Sequence, residues 1–323
     1  MSLDTDTVLE QRRLRRRLVR WRTGAVLLGA LALLAVVGSG ESGFRLFNQG
    51  NHIARVDIAG LITEDRDQIE MLRKAADDAS VKAIVLAVNS PGGTTTGGEA
   101  LYNAIEAATK KKPVVAVQGT IATSAAYMIS LASDRIFAHG NTITGSVGVI
   151  FQFPEVHEAL DKIGVKMNEI KSGPLKAVPS MFAPLDDQGR QLAQSMVAES
   201  QVWFLGLVTK RRNITAAAVP GLEAGRIYSG REALQYKLVD AIGDEQDAIA
   251  WLEKEKGVAA ALPVVDWKPK RKDPFGGFLG EAGGGTEGGI AGIVHSLLAR
   301  TIGSDRLAEL QLDGLVSVWH GGN

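Results

Sequence analysis

The chain has 323 residues, 45% hydrophobic and 22% charged, with 36 basic and 36 acidic side chains and no cysteine. This is enough to bury one large core or two modest ones, and the lack of thiols excludes disulfides, thiolate metal sites and a cysteine nucleophile. Charge is uneven: seven Arg crowd the first 22 residues beside Asp4, Asp6 and Glu10, and the other 301 residues hold 29 basic and 33 acidic groups, a net of −4. A folded portion with that balance is not the basic face that nucleic acid requires.

Thr23 to Gly40, TGAVLLGALALLAVVGSG, runs 18 residues without a charge. As a helix it spans about 27 Å, close to the ~30 Å hydrocarbon core of a bilayer. Arginines precede it and Glu41 succeeds it, so the positive-inside rule keeps residues 1–22 in the cytoplasm and exports the chain beyond Gly40. Cleavage near Gly38-Ser39-Gly40 is the competing reading. The long charged leader and an apolar run beyond the usual ~7–15 residues favour an uncleaved single-pass anchor at 23–40.

From His52 the pattern changes. HIARVDIAG predicts a strand and DQIEMLRKAADDA a helix. VKAIVLAVN is a continuous apolar run of strand length that ends in Asn-Ser-Pro-Gly-Gly. GGEALYNAIEAATKK is helical, PVVAVQG is a buried strand, and a helix starts around Ser124. RIFAH and VGVIF read as short strands, 186–212 as a long amphipathic helix, and 225–243 as a second small α/β stretch before a helix to Lys256. Strands alternating with helices predict an α/β domain, 52–256, with a largely parallel sheet. Nine glycines among residues 276–292 predict a flexible linker, 268–292, ahead of an amphipathic C-terminal segment, 293–323, suited to docking.

In such a sheet, sites form at the carboxyl ends of strands. NSPGG at 89–93 and TIATS at 120–124 both fall there. Ser124 sits among small residues in QGTIATSAAYMIS; it is either a buried structural hydroxyl or a nucleophile whose neighbours leave room for substrate. The glycines of 89–93 permit close approach and unusual φ, as an oxyanion hole needs. None of the five His (52, 139, 157, 295, 320) has metal-ligand spacing, and no metal or cofactor is expected. The glycine-rich stretch 92–98 lacks the lysine of a phosphate loop.

Without a paired His, a serine nucleophile needs a lysine base. A free lysine titrates near 10.4, and removing about 3 units means disfavouring the ammonium by about 4 kcal/mol, which apolar burial can do. Lys176, between Leu175 and Ala177-Val178-Pro179, has such neighbours in sequence; Lys171 is the competitor.

Together these residues resemble the signal peptide peptidase A family of membrane-bound serine peptidases. The resemblance runs from about 52 to 255 and rests on VNSPGG (88–93), GTIATSAAYMIS (119–130), ASDRIFA with TGSVGVI (132–150), IKSGPLK (170–176) and GRIYSGREALQYKLVD (225–240). It implies a crotonase/Clp protease-like domain of repeated ββα units in a superhelix, behind one transmembrane helix. It implies Ser124 as nucleophile, Lys176 as general base and Ser146 as the hydroxyl that orients the lysine. Backbone N–H groups of Gly93 and Ala125, beside Gly92, would form the oxyanion and substrate-binding wall. Short members share each dyad between neighbouring subunits of a homo-oligomeric ring, and this chain has the length of a short member. Substrates would be cleaved signal peptides left in the bilayer, handled on the periplasmic side of a bacterial inner membrane.

The chain departs from the family in carrying Ala125 and Ala126 where relatives often have glycines, and two methyls are expected to narrow the cleft. Lys237 stands where Gly often precedes Leu-Val-Asp. The alternatives are a non-catalytic membrane scaffold that binds peptides in the same ring, and an acyl-CoA enzyme of crotonase type, which the exported topology opposes.

Overall fold

The computed structural model describes residues 50–269, the backbone of the strand at 315–318, and Trp21. The expected anchor at 23–40, most of the arginine-rich tail and the glycine-rich linker beyond 269 lie outside the described residues. Among the described residues, no helix is long and apolar enough to cross a membrane.

Ten strands form one sheet: β1 (His52–Ile62), β2 (Val81–Thr94), β3 (Val114–Thr123), β4 (Arg135–Ala138), β5 (Ile143–Gly145), β6 (Ile150–Phe151), β7 (Ile227–Ser229), β8 (Ala241–Ile242), β9 (Val264–Trp267) and β10 (Leu315–Val318). The helices are α1 (Arg66–Asp77), α2 (Thr95–Thr109), α3 (Ala125–Ser130), α4 (His157–Lys162), α5 (Asp187–Arg212), α6 (Gly230–Gln235) and α7 (Glu245–Lys256). A helix follows each of the first three strands.

β9, β1, β2, β3, β4 and β8 are parallel neighbours, as the expected α/β class requires. β5 continues parallel on the far end of β3, β7 is antiparallel to β5, and β10 is antiparallel to both β2 and β6. The domain reaches past the expected end at 256, because β9 adds to β1.

The apolar runs of β2 and β3 follow from burial on both faces. Ile84, Leu86, Val88, Val114 and Ala116 pack with Leu72, Leu101, Ile105 and the α3 residues on one side. Ala83, Val85, Val115 and Val117 pack with Ala248 and Leu252 of α7 on the other.

Candidate active site

β3 ends at Thr123 and α3 begins at Ala125, which leaves Ser124 in the turn between them. Its backbone sits at φ 57, ψ −119, the geometry of the first central residue of a type II′ turn. Glycine usually takes that position; a serine there is strained by roughly 1–3 kcal/mol. Ser124 is 1% exposed, and its amide donates to the Gly145 carbonyl at 2.8 Å.

Thr123 and Gly145 are partners across the β3–β5 pair, so Ser124 and Ser146 leave the ends of adjacent strands together. Ser146 also has a positive φ, 52, and its amide donates to the Arg226 carbonyl at 3.0 Å. The Gly145 φ is 87, and a β-carbon there would lie 2.6 Å from Cδ2 of Tyr228. The motif IYSG thus acts as a brace: β7 fixes β5, and β5 fixes the two serines.

The glycines divide their work. β2 runs through the turn expected at 89–93, and the Gly92 amide donates to Ser90 Oγ at 3.1 Å, so it is committed within the strand. Thr123 Oγ1 donates to the Pro91 carbonyl at 2.9 Å and fastens that part of β2 to the end of β3. A β-carbon on Gly93 would lie 1.8 Å from the Ile62 carbonyl oxygen, so β1 passes too close for any other residue. Ala125 opens the first turn of α3, where amides have no intrahelical acceptor.

Ala125 and Ala126 open α3. Both residues are fully buried. A β-carbon on Gly98 of α2 would lie 3.0 Å from the Ala125 methyl and 3.1 Å from Met128 Sδ. The Ala125 methyl thus packs against α2, and the glycines at 93 and 98 serve close approach, to β1 and to α3 respectively.

Lys176 is not brought to Ser124 within the chain. It lies exposed in a turn, its amide donating to the Gly173 carbonyl, and Leu175 beside it is 50% exposed. The apolar burial expected from its sequence neighbours is not supplied by its own chain. Among the described residues the Lys176 side chain makes no hydrogen bond or ion pair. Lys171 instead pairs with Glu169 at 2.6 Å, and this lysine holds the Glu169 carboxyl below its usual range.

Sequence reasoning missed the supports of α3. Arg211, in the last turn of α5, donates to the carbonyls of Leu131 (2.6 Å), Ala132 (3.1 Å) and Ser133 (3.0 Å), which closes the end of the helix that follows Ser124. Tyr127 donates to the Leu238 carbonyl at 2.9 Å, and burial holds its phenol well above the ordinary range. Arg212 binds Asp240, which in turn accepts the Ile136 amide. Paired arginines at a helix end were the only signal in the sequence.

The profile of peptidase family S49 matches residues 106–259, and that of Clp protease matches 56–142. The chain is 33% identical over 265 residues to "Putative protease MJ0651" of Methanocaldococcus jannaschii, covering 77% of this chain and 85% of that protein. It is 37% identical over 203 residues to "Putative signal peptide peptidase SppA" of Enterococcus faecium, covering 62% and 58%. It is 25% identical to "Serine protease SPPA, chloroplastic" of Arabidopsis thaliana, covering 67% of this chain and 33% of that protein. The fold is α/β, with a Clp protease-like segment at 56–142. The chain belongs to peptidase family S49 and is a serine peptidase.

Proposed function

We propose that Ser124 is the nucleophile of this peptidase, that Lys176 of a neighbouring subunit is its general base, and that Ser146 orients that lysine. The observation that carries the reading is Ser124 itself, a serine held at positive φ at the carboxyl end of a parallel strand, one hydrogen bond from the Gly145–Ser146 turn. Strain at such a position is retained where surrounding structure and function require it.

Ser124 Oγ attacks the scissile carbonyl while the lysine amine takes its proton. The tetrahedral oxyanion is stabilised by backbone N–H groups, of which Gly93 and Ala125 are the candidates. The ammonium then protonates the leaving amine, and the regenerated amine activates water to release the acyl group.

A shared dyad is supported by the surface around Lys176. Ile163, Met167, Ile170 and Leu175 are exposed apolar side chains on the same segment, and covering such a patch by a second copy would also desolvate the lysine. The apolar run at 23–40 supports a membrane anchor with the catalytic domain outside the cytoplasm. Peptides left in the bilayer after secretion fit an enzyme tethered beside it.

The test is fluorophosphonate labelling and cleavage of an apolar peptide by wild type, Ser124→Ala and Lys176→Ala. Wild type labels and cleaves, and neither variant does. Cleavage by either variant at the wild-type rate sinks the assignment.

A further inference from the structure

One hydroxyl serves both backbone groups of Gly92. The Gly92 amide donates to Ser90 Oγ at 3.1 Å, and Ser90 Oγ donates to the Gly92 carbonyl at 3.3 Å. One residue earlier, the Pro91 carbonyl accepts Thr123 Oγ1 at 2.9 Å. Ser90 and Thr123 are both fully buried.

A peptide unit is planar, and in the trans form its N–H points opposite to its C=O. The Pro91–Gly92 unit is therefore held at both ends, its carbonyl by Thr123 and its amide by Ser90. The Gly92–Gly93 unit is held through its carbonyl by Ser90, and that bond sets the direction of the Gly93 amide.

The position needs such a hold. Gly92 has φ 115, and a second glycine follows it. Two successive glycines put the fewest steric restraints on the torsions flanking their shared peptide unit, so the plane turns over easily. Gly93 cannot shift instead, because a β-carbon on it would lie 1.8 Å from the Ile62 carbonyl oxygen of β1. Ser90 is itself anchored. It lies opposite Ala122 on β3, and just before it Asn89 Oδ1 accepts the Ile121 amide at 3.2 Å, where the register of the two strands shifts.

Resting on the reading of Gly93 as an oxyanion donor, we propose that Ser90 is a positioning residue for the reaction. Its hydroxyl fixes the Gly92–Gly93 peptide so that the Gly93 amide faces the oxygen on which charge develops. Ser90 acts through Gly93. Thr123, immediately before the nucleophile, ties the same segment of β2 to the strand that carries Ser124 and completes the device. A donor aimed in advance acts on the transition state more than on the bound ground state, so its misdirection lowers kcat and leaves KM.

The test uses the full-length protein in detergent or nanodiscs, with a reporter peptide and the matching peptide aldehyde. Addition of Ser124 Oγ to the aldehyde carbon places the former carbonyl oxygen where the oxyanion forms. Ser90→Ala should lower kcat and fluorophosphonate labelling about tenfold or more, with KM within about twofold, and should weaken the aldehyde by a similar factor. Thr123→Val, which keeps the shape and loses the hydroxyl, should do the same, and Thr123→Ser should not.

A merely structural hydroxyl gives a lower melting temperature with kcat and aldehyde affinity unchanged in the folded variant, and that result overturns the proposal. A rise in KM alone overturns it too. If Ser90→Ala fails to fold, the Thr123 pair decides, and wild-type kcat in Thr123→Val is then the overturning result. Wild type that does not label removes the nucleophile reading and this role with it. A labelling wild type beside an unchanged Ser90→Ala removes this role alone.

Discussion

The Ser124 amide donates to the Gly145 carbonyl at 2.8 Å, and this bond ties Ser124 to the turn that carries Ser146; both serines have positive φ, 57 at Ser124 and 52 at Ser146. Neither serine sets its own conformation. β5 is held between β3 and β7, and the Arg226 carbonyl takes the Ser146 amide.

Gly145→Ala tests that bracing. The new methyl would meet the Tyr228 ring at 2.6 Å and sit at φ 87. The cost is about 1–3 kcal/mol, read in a denaturant melt. Labelling of Ser124 should fall by about tenfold or more, since small misplacements of a reacting group are costly in rate. A variant with the wild-type labelling rate would show that the Gly145 turn does not position the nucleophile.

Arg211→Ala leaves the Leu131, Ala132 and Ser133 carbonyls without their guanidinium donor. Loss of stability of about 2–4 kcal/mol is expected. Arg211→Lys should recover only part of it, because an ammonium cannot reproduce the planar fork. Full recovery by lysine would mean that charge, not geometry, closes α3.

Much of this fold was legible in the sequence because its strands are buried on both faces. VKAIVLAVN and PVVAV have no polar alternation, so their strand character and parallel pairing follow, although the strands run on through the glycine-bearing residues expected to end them, to Thr94 and Thr123. β5 and β7, of three residues each, leave no periodicity to read, and they are what fixes Ser146. The Ser124 turn could be placed from the strand before it. Its strain could not, because φ depends on a bond to a residue 21 positions on. The close packing of Ala125 depends on Gly98 in a different helix, which a reading along the chain does not show. The exposure of Lys176 was hidden for the opposite reason. Its apolar neighbours read as a local pocket, but in this chain they form a surface.

Lys237 sits at φ 61, with its carbonyl accepting Arg212 Nε at 2.6 Å. A left-handed conformation costs a non-glycine residue about 1–2 kcal/mol, part of which glycine gives back in unfolded-chain entropy. Lys237→Gly should therefore stabilise the domain by about 0.5–1 kcal/mol. A destabilised variant would mean that the lysine side chain makes a compensating contact.

The Ser229 backbone amide, with Arg226, holds the Glu232 carboxyl below the usual glutamate range at the start of α6. A depressed carboxylate stabilises fully above its unfolded value near 4.3, and that contribution is lost as pH falls through the folded value. The melting-temperature gap between wild type and Glu232→Gln should be present at neutral pH and close in acid, below about pH 4. A gap independent of pH would assign the effect to shape rather than charge.

A shared dyad makes a stricter prediction than loss of activity. Ser124→Ala supplies an intact lysine and Lys176→Ala an intact serine, so each is inactive alone. If each site takes its serine from one subunit and its lysine from the next, co-assembly of equal amounts restores about a quarter of the wild-type sites, since each partner is intact with even chance around a ring. Ser124 is buried at the sheet end, whereas Lys176 projects from an exposed segment flanked by Ile170 and Leu175, which is the arrangement such donation needs. Mixing after separate assembly should restore activity only as fast as subunits exchange. If co-expressed variants form mixed rings by mass spectrometry and remain inactive, serine and lysine belong to the same chain, and the loop carrying Lys176 must fold back onto its own Ser124.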